Sequence, residues 1–346
     1  MDAQAAEALL LWAEDARTRL TGLHAKLVFT EISEQYDALK SALQWFVHND
    51  RPDQARRLVT SLVPFWMATK RLDEGTASLE AAVSMNGGAE SHRGRALFDA
   101  GYLAFWKGDY DRSSSLQNEA LALGRKNNDP TVTALALAGL ARIALGTDVS
   151  QARELCREAI ALTEGTHDRL GRSSAMHVLG VAAQMAGDLQ EAREVMSQRI
   201  AMAEEQGHFA IISSEAGNLS MVERQLGNLE RAEALGRQAL DIDVKRGDQM
   251  AIAWKVNGLA AVAAARGQFV RAATLIGIAD ATMLAAGGAW PPDEKQQYDG
   301  TVAALTGALD TANVERARAT GSSMSMPAAV AFALGSDTTK PQDEND

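Results

Sequence analysis

Residues 175–192, AMHVLGVAAQMAGDLQEA, decide the fold. Met176, Leu179, Ala182 and Ala183 recur at helical spacing, with Gly180 near the middle of that helix. Gly187-Asp188 breaks it, since glycine readily takes the left-handed conformation that ends a helix, and Ala192 opens the next helix. A mid-helix residue without bulk lets a partner helix approach closely, and a small residue early in that partner receives it. The stretch therefore predicts a tight antiparallel helical hairpin.

The same unit recurs about every 40 residues. Its turns are Gly108-Asp109-Tyr110, Gly146-Thr147-Asp148, Gly187-Asp188-Leu189, Gly227-Asn228-Leu229 and Gly267-Gln268-Phe269. Seven positions before each glycine stand Gly101, Gly139, Gly180, Ser220 and Ala260, all small. Five positions after it stand Ser113, Ala192, Ala232 and Ala272, with Ala152 displaced by one inserted residue. Leu179, Leu219 and Leu259 fill the space beside the small positions. A second set of breaks, Asn128-Asp129, His167-Asp168, Gly207-His208 and Gly247-Asp248, separates successive hairpins. The predicted pairs are 92–107/110–126, 131–145/149–164, 169–186/189–206, 209–226/229–246 and 249–266/269–286. Each hairpin leaves an apolar face that only the next can cover, so the units must stack.

Before the repeats, residues 2–20, 32–47, 53–69 and 72–85 read as four helices, with a loose segment between the first two. After them, Trp290-Pro291-Pro292 makes a rigid turn and Asp293 caps a helix reaching Leu309. A short helix follows at 311–319, and an apolar segment, 328–334, covers the open end of the stack. The expected organisation is 1–90 degenerate helical pairs, 91–288 five repeats, 289–334 capping helices and 335–346 a disordered acidic tail. No run alternates apolar and polar residues over a strand's length. The fold class is all-α, a right-handed superhelix of stacked antiparallel helix pairs.

The net charge of −11 opposes binding to nucleic acid or to an anionic membrane. No apolar stretch approaches the ~20 residues that cross a bilayer, and no basic leader precedes an apolar run, which points to a cytoplasmic address. The single cysteine, Cys156, lies on the apolar side of a helix and reads as packing. The histidines, at 24, 48, 92, 167, 177 and 208, have no metal-ligand spacing, and no nucleophile elbow occurs. The sequence calls for no catalytic residue, metal or cofactor.

These repeats resemble tetratricopeptide repeats in a longer, about 40-residue form. The segment SALQWFVHNDRPDQARRLVTSLVPFWMATKRLDEGTASLEAAV, residues 41–83, resembles the opening of the helical sensor domain of bacterial signal-transduction ATPase regulators, including the maltose-regulon activator and LuxR-type proteins. RGQFVRAATLIGIADATMLAAGGAWPPDEKQQYD, residues 266–299, and SMSMPAAVAFAL, residues 323–334, are similar to the end of that domain. The resemblance implies a sensor of an inducer or partner protein within transcriptional signalling. No G-x-x-x-x-G-K-[ST] phosphate loop is present, and no basic recognition helix follows Leu334. The chain is then either a separately encoded sensor or a piece of a longer regulator.

In tetratricopeptide arrays the first helix of each pair lines the concave surface. Counting from the small residues places Arg95, Phe98, Tyr102, Phe105 and Trp106 there, followed by Thr133, Leu140 and Ile143. The third pair gives Ser174, His177, Val181, Gln184 and Met185. Ser214, Met221, Arg224 and Gln225 follow from the fourth, and Trp254 and Asn257 from the fifth. Aromatic anchors with scattered donors suit a protein or peptide partner. Arg224 is the leading candidate, because a charge among apolar and amide neighbours needs water, an anionic partner or an internal acid such as Glu215 or Glu223. A competing reading is a small-molecule effector site among Trp45, Phe65, Trp66 and Trp106. Asn218 and Asn257 lack the basic partners of a carboxylate clamp.

Overall fold

The computed structural model describes residues 1–166, 169–288, 290 and 292–335. The His167-Asp168 break, Pro291, the capping role of Asp293 and residues 336–346 lie outside what it describes. Every regular element among the described residues is an α-helix. The helices form two compact units, Met1–Gly207 and His208–Asp346, divided at the Gly207-His208 break inside the 91–288 array.

Unit 1 contains α1 (Ala3–Arg19), α2 (Ala25–His48), α3 (Pro52–Ala68), α4 (Leu72–Ser84) and α5 (Glu90–Trp106). It continues with α6 (Tyr110–Asn127), α7 (Pro130–Ala144), α8 (Val149–Leu162), α9 (Arg169–Met185) and α10 (Leu189–Glu205). Each odd-numbered helix pairs with the next, and α1, α3, α5, α7 and α9 pack on one another as a continuous first-helix layer. Unit 2 contains α11 (Phe209–Gln225), α12 (Leu229–Arg246), α13 (Gln249–Ala265), α14 (Phe269–Ala285), α15 (Pro292–Ala308), α16 (Thr311–Ser322) and α17 (Met326–Leu334). There α11, α13 and α15 form the first-helix layer.

The hairpin turn works as its sequence demands. Gly187 has φ of 79°, the Gly187 N–H donates to the Gln184 carbonyl at 3.0 Å, and the Asp188 N–H donates to the Ala183 carbonyl at 2.9 Å. These bonds satisfy carbonyls that the end of α9 would otherwise leave bare. Small residues on both sides of each turn are buried. Two of them add a staple between paired helices. Ser113 Oγ donates to the Gly101 carbonyl at 2.8 Å, and Ser220 Oγ to that of Ala232 at 2.7 Å. Gly101 and Gly139 make room for one shared side chain, since a Cβ at either would fall within 2.6 Å of Gln117.

Two segments depart from expectation. The supposed loose segment after α1 is already helical from Ala25, because Ala25 and Val28 continue the buried stripe of Ile32, Tyr36, Leu39 and Phe46 by helical steps. The apolar segment near the end forms a full helix, α17, which packs against α12. Arg271 of α14 holds it there, donating to the Ala333 carbonyl and lying over the Phe332 ring. The α15 and α16 helices cover the pair α13/α14.

The buried charge of Arg56 in unit 1 is consumed by architecture. Arg56, 1% exposed, donates to the carbonyls of Ala82, Met85 and Gly87 and so closes the end of α4. Asp53 beside it accepts from the Ala89 N–H and lies 2.9 Å from His92 Nδ1. Cys156 is fully buried, and burial pushes its thiol up to about 12, so it packs as a small apolar residue.

Candidate functional site

In unit 1, aromatic residues at one-turn spacing give α5 a continuous ladder. Phe98 stacks on Tyr102 with centroids 6.2 Å apart, and Trp106 meets Tyr102 edge-on at 6.2 Å. Phe105 meets Trp106 edge-on at 5.7 Å and touches Tyr110, the first residue of α6, at 5.5 Å. Phe98, Tyr102 and Phe105 are half-buried, whereas Trp106 is 49% and Tyr110 55% exposed. The inner end of the ladder is therefore partly core, and its outer end is free surface.

Arg95 stands at the inner end, but its charge is committed. Its Nε donates to Asp99 Oδ2 at 2.9 Å, and Asp99 is 2% exposed. Nearby Arg17 donates to the Thr60 carbonyl at 3.1 Å. Burial, with Arg95 adding repulsion, lowers Arg17 to about 10 against the opposing pull of Asp99 and Glu14. This is a paired interior cluster, so Arg95 offers a ligand little.

Arg142 was missed by counting positions. It lies on α7 between the named Leu140 and Ile143, and its guanidinium sits over the rings of Tyr102 at 5.6 Å and Phe105 at 5.9 Å. No carboxylate pairs with it among the described residues. A signal existed, since Arg142 is the only charged residue in PTVTALALAGLARIA, residues 130–144. On α9, His177, Val181 and Gln184 are half-buried and Met185 is 56% exposed.

In unit 2, Met221 and Trp254 are half-buried and Gln225 is exposed. Arg224 is half-buried and has no ion-pair partner among the described residues. Its Nε is buried without a protein acceptor, and burial alone holds the guanidinium below its usual range. Glu223, adjacent in sequence, is turned away. Fully buried, it accepts from Asn228 at 2.7 Å and pairs with Arg231 at 2.9 Å. The indole N–H of Trp254 is likewise buried without an acceptor. Asn257 does not belong to an open wall. It is fully buried beneath α15, and its Nδ2 donates to the main-chain and side-chain oxygens of Glu294, each at 3.3 Å.

The aromatic concentration near the start of the chain divides in the same way. Phe65 and Trp66 are core, at 0% and 1% exposure, and the Trp66 indole donates to the Tyr36 hydroxyl at 2.8 Å. Trp45 instead lines an open groove of about 550 Å³ with Ala3, Ala8, Leu11, Phe46 and Arg51. No helix among the described residues is long and apolar enough to cross a membrane.

The tetratricopeptide-repeat family model matches residues 216–242, the junction of α11 and α12. No curated protein matches the chain by sequence. Solved structures do match. A Rap protein complexed with competence and sporulation factor is 12% identical, with a TM-score of 0.54, over 90% of this chain and 99% of that one. Aspartyl phosphate phosphatase F from Bacillus subtilis is 12% identical, with a TM-score of 0.50, over 92% and 95%. A signal-transduction ATPase with numerous domains and a tetratricopeptide repeat sensor, from Pyrococcus horikoshii, is 12% identical at a TM-score of 0.50. That match covers 85% of this chain and 48% of the ATPase. At such identities the likeness is one of fold. The chain is a tetratricopeptide-like all-α repeat domain, a fold typical of protein-interaction modules, and in fold it resembles that ATPase with its tetratricopeptide repeat sensor.

Proposed function

We propose that the chain is a non-catalytic recognition module that binds a protein or peptide partner along its first-helix layers, as the cytoplasmic sensor part of a bacterial transcriptional regulator. One observation carries the binding reading. Arg224 keeps a half-buried guanidinium with no acid beside it. A desolvated charge of that kind is costly unless something anionic meets it. The regulatory context is supported by the segments at 41–83, 266–299 and 323–334, which resemble the two ends of such sensor domains.

Affinity capture from the source cytoplasm, with the whole chain as bait, tests this reading. Wild type should retain a partner that the Arg224→Glu, Trp106→Ala variant loses while melting like wild type. Equal capture by both removes the wall assignment. A second reading, a small-molecule effector, is favoured only by the groove at Trp45. Thermal shift against a metabolite panel separates the two, because a ligand at about 100 times its Kd adds ~2.7 kcal/mol.

A further inference from the structure

We propose that the α5–α7 step of unit 1 binds an acidic segment of a protein partner. Arg142 takes a carboxylate there, and Trp106 and Tyr110 cover the apolar side chain beside it. The proposal rests on the partner-binding reading above and adds the partner's chemistry and a residue, Arg142, outside the expected wall.

Three other half-buried arginines of this layer are supplied with acceptors. Arg95 has Asp99, Arg57 has both oxygens of Glu14, and Arg17 has the Thr60 carbonyl. Among the described residues Arg142 has only the faces of Tyr102 and Phe105. Ring faces attract the cation but accept none of its in-plane N–H groups, so its edge stays available to a carboxylate. Contact with two ring faces also restrains the planar fork, which reduces the entropy lost when a bidentate partner arrives.

The apolar half of the site is as well prepared. Trp106 is held edge-on by two rings at 6.2 and 5.7 Å and still exposes 49% of its surface. Tyr110, held by Phe105 at 5.5 Å, exposes 55%. Trp, Tyr and Arg are the residue types that dominate interface energetics, because rigid side chains bury area at small entropic cost. Two nearby acids are already occupied, since Asp109 caps α6 by accepting from the Arg112 N–H at 3.1 Å and Asp148 caps α8 by accepting from the Gln151 N–H at 3.0 Å. In a chain of net charge −11, an unpaired cation within an exposed aromatic patch selects for an acidic partner.

The test selects a random phage-displayed short-peptide library on the whole chain and then measures the synthetic consensus by fluorescence anisotropy. Enrichment of Asp or Glu next to an aromatic or aliphatic residue is expected. Arg142→Met, which keeps the packing on the rings, and Trp106→Ala should each weaken the consensus at least about tenfold. Arg142→Glu should restore a consensus whose acid is replaced by lysine. Melting curves matching wild type show that the variants are folded. Selection without acidic enrichment overturns the proposal, as does equal affinity for wild type and Arg142→Met. Displacement of the consensus by succinate alone at low concentration also overturns it, because the site then reads a small dicarboxylate. A consensus that ignores Arg142→Met but is lost by Arg224→Glu removes this site and leaves the recognition-module reading standing.

Discussion

The crossing of α14 and α16 in unit 2 is the place where one methyl group should cost most. A Cβ added to Gly277 would lie 2.0 Å from the Arg318 carbonyl oxygen, and one added to Gly321 would lie 2.0 Å from that of Thr274. Carbon–oxygen contacts between packed main chains settle near about 3.3 Å, so Gly277→Ala must force the helices about 1.3 Å apart. A gap of ~0.5–1 Å already forfeits a quarter to a half of each dispersion contact, and Thr274, Ile278, Val314 and Ala317 are buried around this crossing. Overpacking costs ~1–3 kcal/mol and main chain gives least, so the upper end applies. Against it stands the ~1 kcal/mol by which alanine outranks glycine inside a helix. The net expectation is a loss of about 2 kcal/mol, or roughly 4–8 °C in Tm. Gly180→Ala is the control. The nearest atoms to its Cβ would be Cγ and Cε of the buried Met196 side chain, at 3.0 and 3.2 Å, and not main chain, so its effect should stay within ~1 kcal/mol of zero. Urea titrations followed by circular dichroism measure both. Adding Gly321→Ala to Gly277→Ala should cost less than the two single losses together, since the helices have already parted. A Gly277→Ala protein as stable as wild type would refute the close approach.

Three further outcomes follow from buried groups. Asp243 is 4% exposed, and desolvation raises its folded pKa despite Lys255 and Ser213. The protonated form is thus the one the fold favours, and its contribution is present below the unfolded value of about 3.9 and lost as pH rises through the folded pKa. Asp243→Asn should accordingly raise Tm near neutral pH and gain nothing in acid; a loss at neutral pH that vanishes in acid would show the carboxylate to be a net stabiliser through Lys255. Tyr36→Phe strips the acceptor from the buried Trp66 indole and should cost ~1–3 kcal/mol in urea titrations, whereas an unchanged midpoint would mean the indole finds another partner. Cys156, with its thiol pushed up to about 12 by burial, should react with a disulfide reagent only as fast as the fold opens, and immediate labelling of the native protein would contradict that burial.

The hairpins were legible because close packing leaves its mark on residue identity. Gly101, Gly180 and Ala192 are small where helices meet, and Gly187 is glycine where φ is positive. The candidate surface was less legible, because exposure depends on what lies across from a helix and not on its own period. Asn257 occupies the same register as His177, yet α15, which lies beyond the repeats, covers it. Glu223 precedes Arg224 by one residue, and in a helix that step turns the side chain by about 100°. Its carboxylate therefore goes inward to Asn228 and Arg231, and the neighbouring arginine is left alone. Arg142 reached the surface from a position the counting had skipped, because the rings of Tyr102 and Phe105 on another helix hold it there. A repeat pattern constrains the contacts every unit must make. Specificity resides where a single unit departs from the pattern, and there the sequence identifies the unusual residue while only the fold shows what it faces.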